Sequence, residues 1–343
     1  MTQNLPKTGV TLYSFTPRFH AREYTLDELI GEVGRRGLGP GLEIVGFQAI
    51  KGFPKLPDGF AKHFRNLVDE AGLELSCMGA NADAGIRSDR MLNEDELEEY
   101  MLAQLEAAHT LGFPTVRLQY SVTPDMMERL LPHAERLDLT LGMEVHSPHS
   151  VHHPVMAALL ERFEKLGDHH LGFIPDWGAS MTQMPPSMAA TYRAKGLPEE
   201  LVAAVERAWV ANHAKPLIAS DEQQHARYGE IFELIEQYGG GDLGAHLAIN
   251  SVGLFGHQKV QDWNDILPWV VHVHGKFYDI DADGDAPGTP HDQLIGDLVR
   301  GGFTGYISTE WEGWHWNSVD DPFDMVASEQ ALTRRILSGL VPA

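Results

Sequence analysis

Eight short runs of apolar and β-branched residues recur along the chain, each bounded by glycine, proline or polar positions. They are Val10–Phe15, Leu42–Phe47, Glu74–Ala80, Thr115–Tyr120, Leu139–His146, Leu171–Trp177, Trp269–Phe277 and Gly305–Trp311. Runs of this length and composition predict strands. Between most of them the apolar spacing changes to three and four, the period of a helix with one buried face. Thr25–Arg36 opens on Thr-Leu-Asp-Glu, a box in which hydroxyl and carboxylate satisfy free backbone N–H groups. Asn93–Thr110 is acidic in its first turn, which suits the positive end of a helix dipole. Thr123–Leu137 and Val155–Leu166 follow the same period, and Gly37, Gly72, Gly112 and Gly167 stand where helices should stop.

This alternation of strand and helix predicts an α/β fold with a parallel sheet under a helical layer. Eight units favour closure into a (β/α)8 TIM barrel, which typically takes about 250 residues. The chain has 343. A single barrel domain over 1–343 absorbs the surplus as a helical insertion at about 180–262, between strands six and seven. That stretch holds helix patterns at Pro198–Val210 and Tyr228–Tyr238, a triple glycine at 239–241 and a short strand-like run, Leu247–Asn250. A lid, a partner surface and a plain helical excursion all fit it.

The formal net charge is -23. Such a surface repels phosphate backbones and anionic lipid, so nucleic acid and membrane surfaces are poor partners. Cys77 is the only cysteine, which excludes an intrachain disulfide and a thiolate cluster; its apolar setting reads as a core thiol. Met1–Lys7 has no apolar signal region, and no run approaches the ~20 apolar residues of a membrane span. The expectation is a soluble, cytoplasmic protein. Asp279–Pro290 is rich in aspartate, but Pro290 stands where a calcium loop needs its closing glutamate, so it reads as a loop over the barrel mouth.

In such barrels the chemistry sits at the C-terminal ends of the strands. Strand five ends Gly-Met-Glu144-Val-His146, strand six Ile-Pro-Asp176-Trp177, strand seven carries His272-Val-His274-Gly-Lys276, and strand eight ends Ser-Thr-Glu310-Trp311-Glu312. Neighbouring strands lie ~4.8 Å apart, so Glu144, Asp176, His274 and Glu310 can converge on one point. Taken singly, each is ordinarily a cap, an ion-pair partner or a core residue. Three carboxylates meeting without a cation would repel one another. Together with one imidazole they suit a divalent metal, with oxygen-rich ligation favouring Mn²⁺ over Zn²⁺, and Mg²⁺ or Co²⁺ as further candidates. His146 shares the face of Glu144 and is the candidate general base. Arg117, Gln119, His272 and Lys276 face the same centre as candidate substrate contacts. Arg117 and Lys276 fit equally well as charge partners of the acids. Trp177, Trp311, Trp314 and Trp316 crowd the strand ends, and aromatic faces stack on sugars and flat ring systems. Trp177 and Trp311 are taken as the substrate contacts among them. His149, His152 and His153 read as rim residues.

These strand ends resemble the xylose isomerase-like barrel superfamily, whose pattern is Glu, Asp, His and Glu on strands five to eight; Leu42–Ile44 resembles its strand-two signature. Endonuclease IV, a member of that superfamily, fits poorly, because the ends Gly79-Ala80-Asn81 and Gln119-Tyr120 lack its further histidines. A closer resemblance is to the α subunit of bacterial C-glycoside deglycosidases, carried by Glu-Val-His, Pro-Asp-Trp-Gly, His-Val-His-Gly-Lys-Phe and Thr-Glu-Trp-Glu. The resemblance implies a 3-oxo-glucosyl C-glycoside substrate such as an oxidised flavonoid C-glucoside, a Mn²⁺ ion and a small β-sandwich-like β subunit, in a hetero-oligomer. It implies a carbon–carbon lyase that acts by β-elimination, with His146 as base. The competing expectations are a metal-dependent sugar or inositol isomerase/epimerase working through an enediolate, and a barrel subunit active only with another chain.

Overall fold

The computed structural model describes residues 5–340, so the first four and last three residues of the 1–343 span lie outside it. Eight parallel strands form one sheet: β1 (Lys7–Thr11), β2 (Gly41–Val45), β3 (Glu74–Gly79), β4 (Thr115–Leu118), β5 (Thr140–Val145), β6 (Leu171–Pro175), β7 (Val273–Phe277) and β8 (Tyr306–Trp311). The hydrogen-bonded order is β6-β5-β4-β3-β2-β1-β8-β7. β6 and β7 complete the ring through two isolated parallel bridges, Phe173–Val270 and Asp176–His274. Between them Val271 N donates to Phe173 O at 3.0 Å, a normal ladder bond. The result is a nearly closed (β/α)8 barrel. Strands buried on both faces explain why the sequence shows continuous apolar runs rather than alternation.

Seven long helices cover the barrel: Leu26–Arg35, Phe60–Glu70, Glu94–Leu111, Pro124–Leu137, Pro154–Leu166, His291–Arg300 and Pro322–Gly339. The capping box at Thr25 and Glu28 forms as the sequence predicts, and a second forms between Asn93 and Glu96. Gly112 and Gly167 end their helices at positive φ, where a Cβ would be strained.

Two strands depart from the expected runs by more than two residues. The first run breaks at Thr11, whose hydroxyl accepts from Tyr13 N at 3.3 Å and starts a 3₁₀ turn over Leu12–Phe15. The seventh starts late, because Leu267–Trp269 forms a 3₁₀ turn before β7.

The stretch between β6 and β7 folds as four helices, Pro186–Ala194, Glu199–Asn212, Asp221–Tyr238 and Gly241–Gly253. Leu247–Asn250 lies inside the last of these and is not a strand. Its buried residues Gly244, Leu247, Ala248, Ser251 and Val252 follow a three-to-four spacing, which outweighs a short apolar run. These helices have their own core, in which Leu201, Val205, Trp209, Ile231 and Leu247 are buried together. Tyr278 and Trp316, from just beyond β7 and β8, belong to that same core. Tyr278 Oη donates to Leu254 O at 2.8 Å and Trp316 Nε1 to Ser187 Oγ at 2.8 Å. The insertion is thereby fastened to the C-terminal face of the barrel. No described helix is long and apolar enough to cross a membrane.

Candidate metal centre

β5 to β8 meet where the barrel closes, and each brings one inward residue to the C-terminal end. Ligand atoms of Glu144, Asp176, His274 and Glu310 all lie within 4.8 Å of one another, and all four residues are buried. The sheet aligns them: Asp176 is bridged to His274, and Lys276 stands opposite Glu310. His274 Nδ1 faces the cluster, 2.7 Å from Glu144 Oε1 and 3.6 Å from Glu310 Oε2. Its Nε2 points away and donates to Glu43 Oε1 at 2.9 Å. Glu43 Oε2 accepts from His272 Nε2 at 2.9 Å, and Ser308 Oγ is 3.0 Å from that nitrogen.

The electrostatics follow from five buried acids against fewer cations. Lys276 Nζ lies 2.6 Å from Asp176 Oδ2, 3.1 Å from Glu312 Oε1 and 3.4 Å from Glu310 Oε2. Burial opposes the charge on Lys276, but Asp176, Glu310 and Glu312 outweigh it and hold its pKa well above the usual value. Arg117 Nε is 3.7 Å from Glu144 Oε2. Its guanidinium occupies space that only a glycine leaves free: a Cβ on Gly79 would stand 2.7 Å from Arg117 Nη2. Burial raises the pKa of Glu144, yet Arg117 and His274 bring it well below the ordinary range. Burial lowers the pKa of His274, but Glu43, Glu310 and Glu144 outweigh it and raise it well above the usual imidazole value. Glu310 is the acid left over. Burial, with Glu312 and Asp176 nearby, pushes it up to about 8 despite Lys276 and His274.

This donor set fits a divalent cation. Three carboxylates and one imidazole converge, and Glu310 Oε2 is buried without a hydrogen-bond partner. The Glu43–His274 bond fixes which ring nitrogen faces the cluster, the usual support of a metal-binding histidine. Hard, oxygen-rich ligation of this kind suits Mn²⁺, Mg²⁺, Co²⁺ or Zn²⁺.

His146 stands at the edge of the cluster, with 23% of its side chain exposed and Nε2 3.5 Å from Asp176 Oδ2. Its Nδ1 bonds the carbonyl of Ser147. A carbonyl only accepts, so Nδ1 carries a proton and Nε2 is the ring nitrogen turned toward Asp176 and the centre.

No family model matches the sequence. The chain is 64% identical over 332 residues to the 3'-dehydrocarminate deglycosidase alpha subunit of a Microbacterium species, spanning 97% of this chain and 95% of that one. It is 47% identical over 330 residues to a C-glycoside deglycosidase alpha subunit of Arthrobacter globiformis, spanning 96% and 90%. The chain belongs to the C-glycoside deglycosidase alpha-subunit family. Among solved structures, the IOLI protein with a bound zinc atom superposes with a TM-score of 0.55 at 12% identity, over 98% of this chain and 100% of that one. That likeness shows a shared barrel fold.

Within this deglycosidase-family barrel, several expected substrate contacts lie elsewhere. Trp177 and Trp311 are each 1% exposed. Trp177 packs edge-on against His291 of the helical layer, 4.9 Å between centroids, and Trp311 Nε1 donates to Tyr278 O at 2.9 Å. Trp311 follows the inward Glu310 by one residue, so strand alternation turns it to the opposite face, and Trp177 starts the 3₁₀ turn that follows Asp176. His272 is equally buried and is engaged below the centre by Glu43 and Ser308, which makes it a support for Glu43 rather than a substrate contact. Lys276 Nζ is taken up by acids. Gln119 Nε2 reaches Glu144 Oε2 at 3.5 Å, and Arg117 Nε is buried without a hydrogen-bond partner.

Three residues of the centre were missed by sequence reasoning. Glu43 is the carboxylate between two histidines, and its signal was an acid inside a wholly apolar run. Glu312 closes the Lys276 cluster. Tyr13 is carried by the 3₁₀ turn after β1, and Glu312 and Glu310 act on its hydroxyl, which burial also makes harder to ionise. Trp314 packs edge-on over Tyr13 at 5.5 Å, so it is this tryptophan that flanks the mouth.

Proposed function

We propose that this chain is the catalytic subunit of a C-glycoside deglycosidase that cleaves the carbon–carbon bond of a 3-oxo-glucosyl C-glycoside by β-elimination. Glu144, Asp176, His274 and Glu310 would hold the metal, Mn²⁺ foremost, and a small β subunit would complete the enzyme. The observation that carries this reading is the placement of His146 Nε2 beside a buried three-carboxylate, one-imidazole cluster. The names of the relatives support the substrate class and the partner.

Carbon is a poor leaving group, so acid assistance at a glycosidic oxygen has no counterpart here. A ketone at C3 of the sugar acidifies the C2 proton instead. His146 Nε2 removes that proton as general base. The C2 electron pair becomes a C1–C2 double bond conjugated with the C3 carbonyl, and the C1–aglycone bond breaks. Its electrons go to the aglycone carbon, which takes up a proton. A divalent cation held by Glu144, Asp176, His274 and Glu310 would supply Lewis acidity for the charge that develops on the sugar. Glu43 holds His274 in register, Lys276 neutralises Asp176 and Glu312, and Arg117 with Gln119 offers N–H groups to sugar hydroxyls.

The test is anaerobic incubation of the Mn²⁺-loaded protein and its candidate small subunit with a 3-oxo-C-glucoside, followed by chromatography. Free aglycone should appear, and His146→Ala should lower the rate by roughly 10²–10⁴-fold. Glu144→Ala should abolish it. Turnover of a free keto-sugar without aglycone release would replace this reading by the isomerase/epimerase one. Release that requires the second chain, with no loss in either variant, would leave this chain a non-catalytic subunit.

A further inference from the structure

The rim of the barrel mouth is unevenly charged. The connections after β1 to β4, residues 12–25, 46–59, 80–93 and 119–123, hold six lysines and arginines against four aspartates and glutamates, a net of +2. The connections after β7 and β8, residues 278–290 and 312–321, hold seven acids and no lysine or arginine. In a chain of net charge -23, the first half of the rim is therefore the part that an acidic surface can approach.

The same half is apolar. Phe47, Ile86, Met91 and Tyr120 are 49–65% exposed and stand on the three successive connections after β2, β3 and β4. They are four of the nine large apolar side chains exposed among the described residues. Such grouping, unlike single exposed side chains, marks an interaction surface, and aromatic residues and methionine are enriched where proteins meet. The loop that carries Ile86 and Met91 is built to hold them out. Leu92 N donates to Ala84 O at 2.7 Å and Gly85 N to Asp83 Oδ1 at 3.0 Å. Gln104 ties the root of the loop to the helical layer through Asn81 N and Asn81 O, at 3.0 and 2.9 Å. Arg87 and Arg90 are already paired, with Asp89 and Glu96. Lys51 and Lys55, in the connection that carries Phe47, are exposed and make no ion pair among the described residues.

This surface adjoins the metal centre. Tyr120 lies against His149 with 4.5 Å between ring centroids, and His149 N donates to His146 O at 2.9 Å. The insertion is fastened across the mouth, beyond β7 and β8, through Tyr278 and Trp316.

We propose that Phe47, Ile86, Met91 and Tyr120 form the surface on which the second subunit docks, through an apolar face edged by carboxylates that meet Lys51 and Lys55. The docked subunit walls the metal centre beside the turn of His146. A second copy of this chain fits less well, because a two-fold contact would set the basic half of the rim against itself. The inference rests on the reading of this chain as one subunit of a deglycosidase.

The test is calorimetric titration of the Mn²⁺-loaded protein with the partner chain of the Microbacterium 3'-dehydrocarminate deglycosidase. The two should form a one-to-one complex. Ile86→Asp combined with Met91→Asp should weaken it by at least about tenfold, as loss of central interface contacts does. Lys51→Glu combined with Lys55→Glu should weaken it several-fold, and that difference should shrink in high salt. Val210→Asp and Ile249→Asp, comparably exposed changes on the insertion, should leave the complex unchanged. Mn²⁺ affinity should stay at the parental value in every variant, which shows that the barrel is intact. No complex with the parent protein overturns the subunit reading and the surface together. A complex that Ile86→Asp with Met91→Asp leaves at full strength, or that the insertion variants weaken instead, overturns the surface alone. Self-association of the chain in sedimentation, abolished by Ile86→Asp with Met91→Asp, gives the surface to a second copy and overturns the proposal. Parental affinity in the lysine variant overturns the carboxylate edge.

Discussion

Glu43 sits in the middle of a strand whose every residue is buried, where an unpaired carboxylate costs several kcal/mol. It is held ionised there by His274 and His272, which outweigh its burial. A glutamine keeps the shape but can accept through only one atom. Its amide N–H₂ would confront one of the two imidazoles and release His274 from its fixed orientation. Glu43→Gln should therefore weaken metal affinity by roughly 10–100-fold, read by Mn²⁺ titration with electron paramagnetic resonance. An unchanged dissociation constant would show that His274 needs no such support. The four proposed ligands were legible because each stands on, or one residue past, one of four successive strands. Glu43 was not legible as a partner, since its histidines are more than two hundred residues away. Trp177 and Trp311 were misassigned for a simpler reason: proximity in sequence to Asp176 and Glu310 was read as proximity in space, against strand alternation at Trp311 and the 3₁₀ turn at Trp177.

At the level of elements, the β6–β7 seam is where the barrel is least regular, and it lies beside two of the proposed ligands. It closes by bridges because the chain enters β7 through the turn at Leu267–Trp269 and the extended Val270–His272. Gly172 makes that entry fit: a Cβ there would stand 2.3 Å from Val271 Cγ1 and 2.6 Å from Trp269 O. A backbone oxygen cannot step aside as a side chain can. Gly172→Ala should destabilise the fold by about 1–3 kcal/mol, as overpacking does, measured by urea unfolding monitored through tryptophan fluorescence. A midpoint equal to that of the parent would mean that the seam relaxes freely. The strand–helix rhythm made all eight strands and four of the seven covering helices recognisable, with a fifth marked only by its stop at Gly72. Pro186–Ala194 and Gly241–Gly253 escaped because their apolar faces meet other insertion helices and not the sheet, so nothing adjacent in sequence marks them.

For the whole molecule, the centre joins strands that are far apart in the chain across the seam that closes the barrel. Glu144 and Asp176 come from one side of that seam, His274 and Glu310 from the other. Without a cation, Glu310 is destabilised by burial and by Glu312 and Asp176, and the cost falls on the folded state alone. A metal that binds only the folded chain removes that cost and adds stability of about 2.7 kcal/mol at a hundredfold excess over its dissociation constant. For a chain of this size that corresponds to a rise in Tm on the order of 5 °C. Chelation followed by scanning calorimetry should show the drop, and Mn²⁺ should restore it. Asp176→Asn should melt at the same temperature with and without Mn²⁺, because the seam can then no longer be bridged by the ion. The alternative is that Lys276 and Arg117 already balance the acids. In that case the parent protein itself would melt at one temperature under both conditions, and the cluster would be an internal salt-bridge network rather than a metal site.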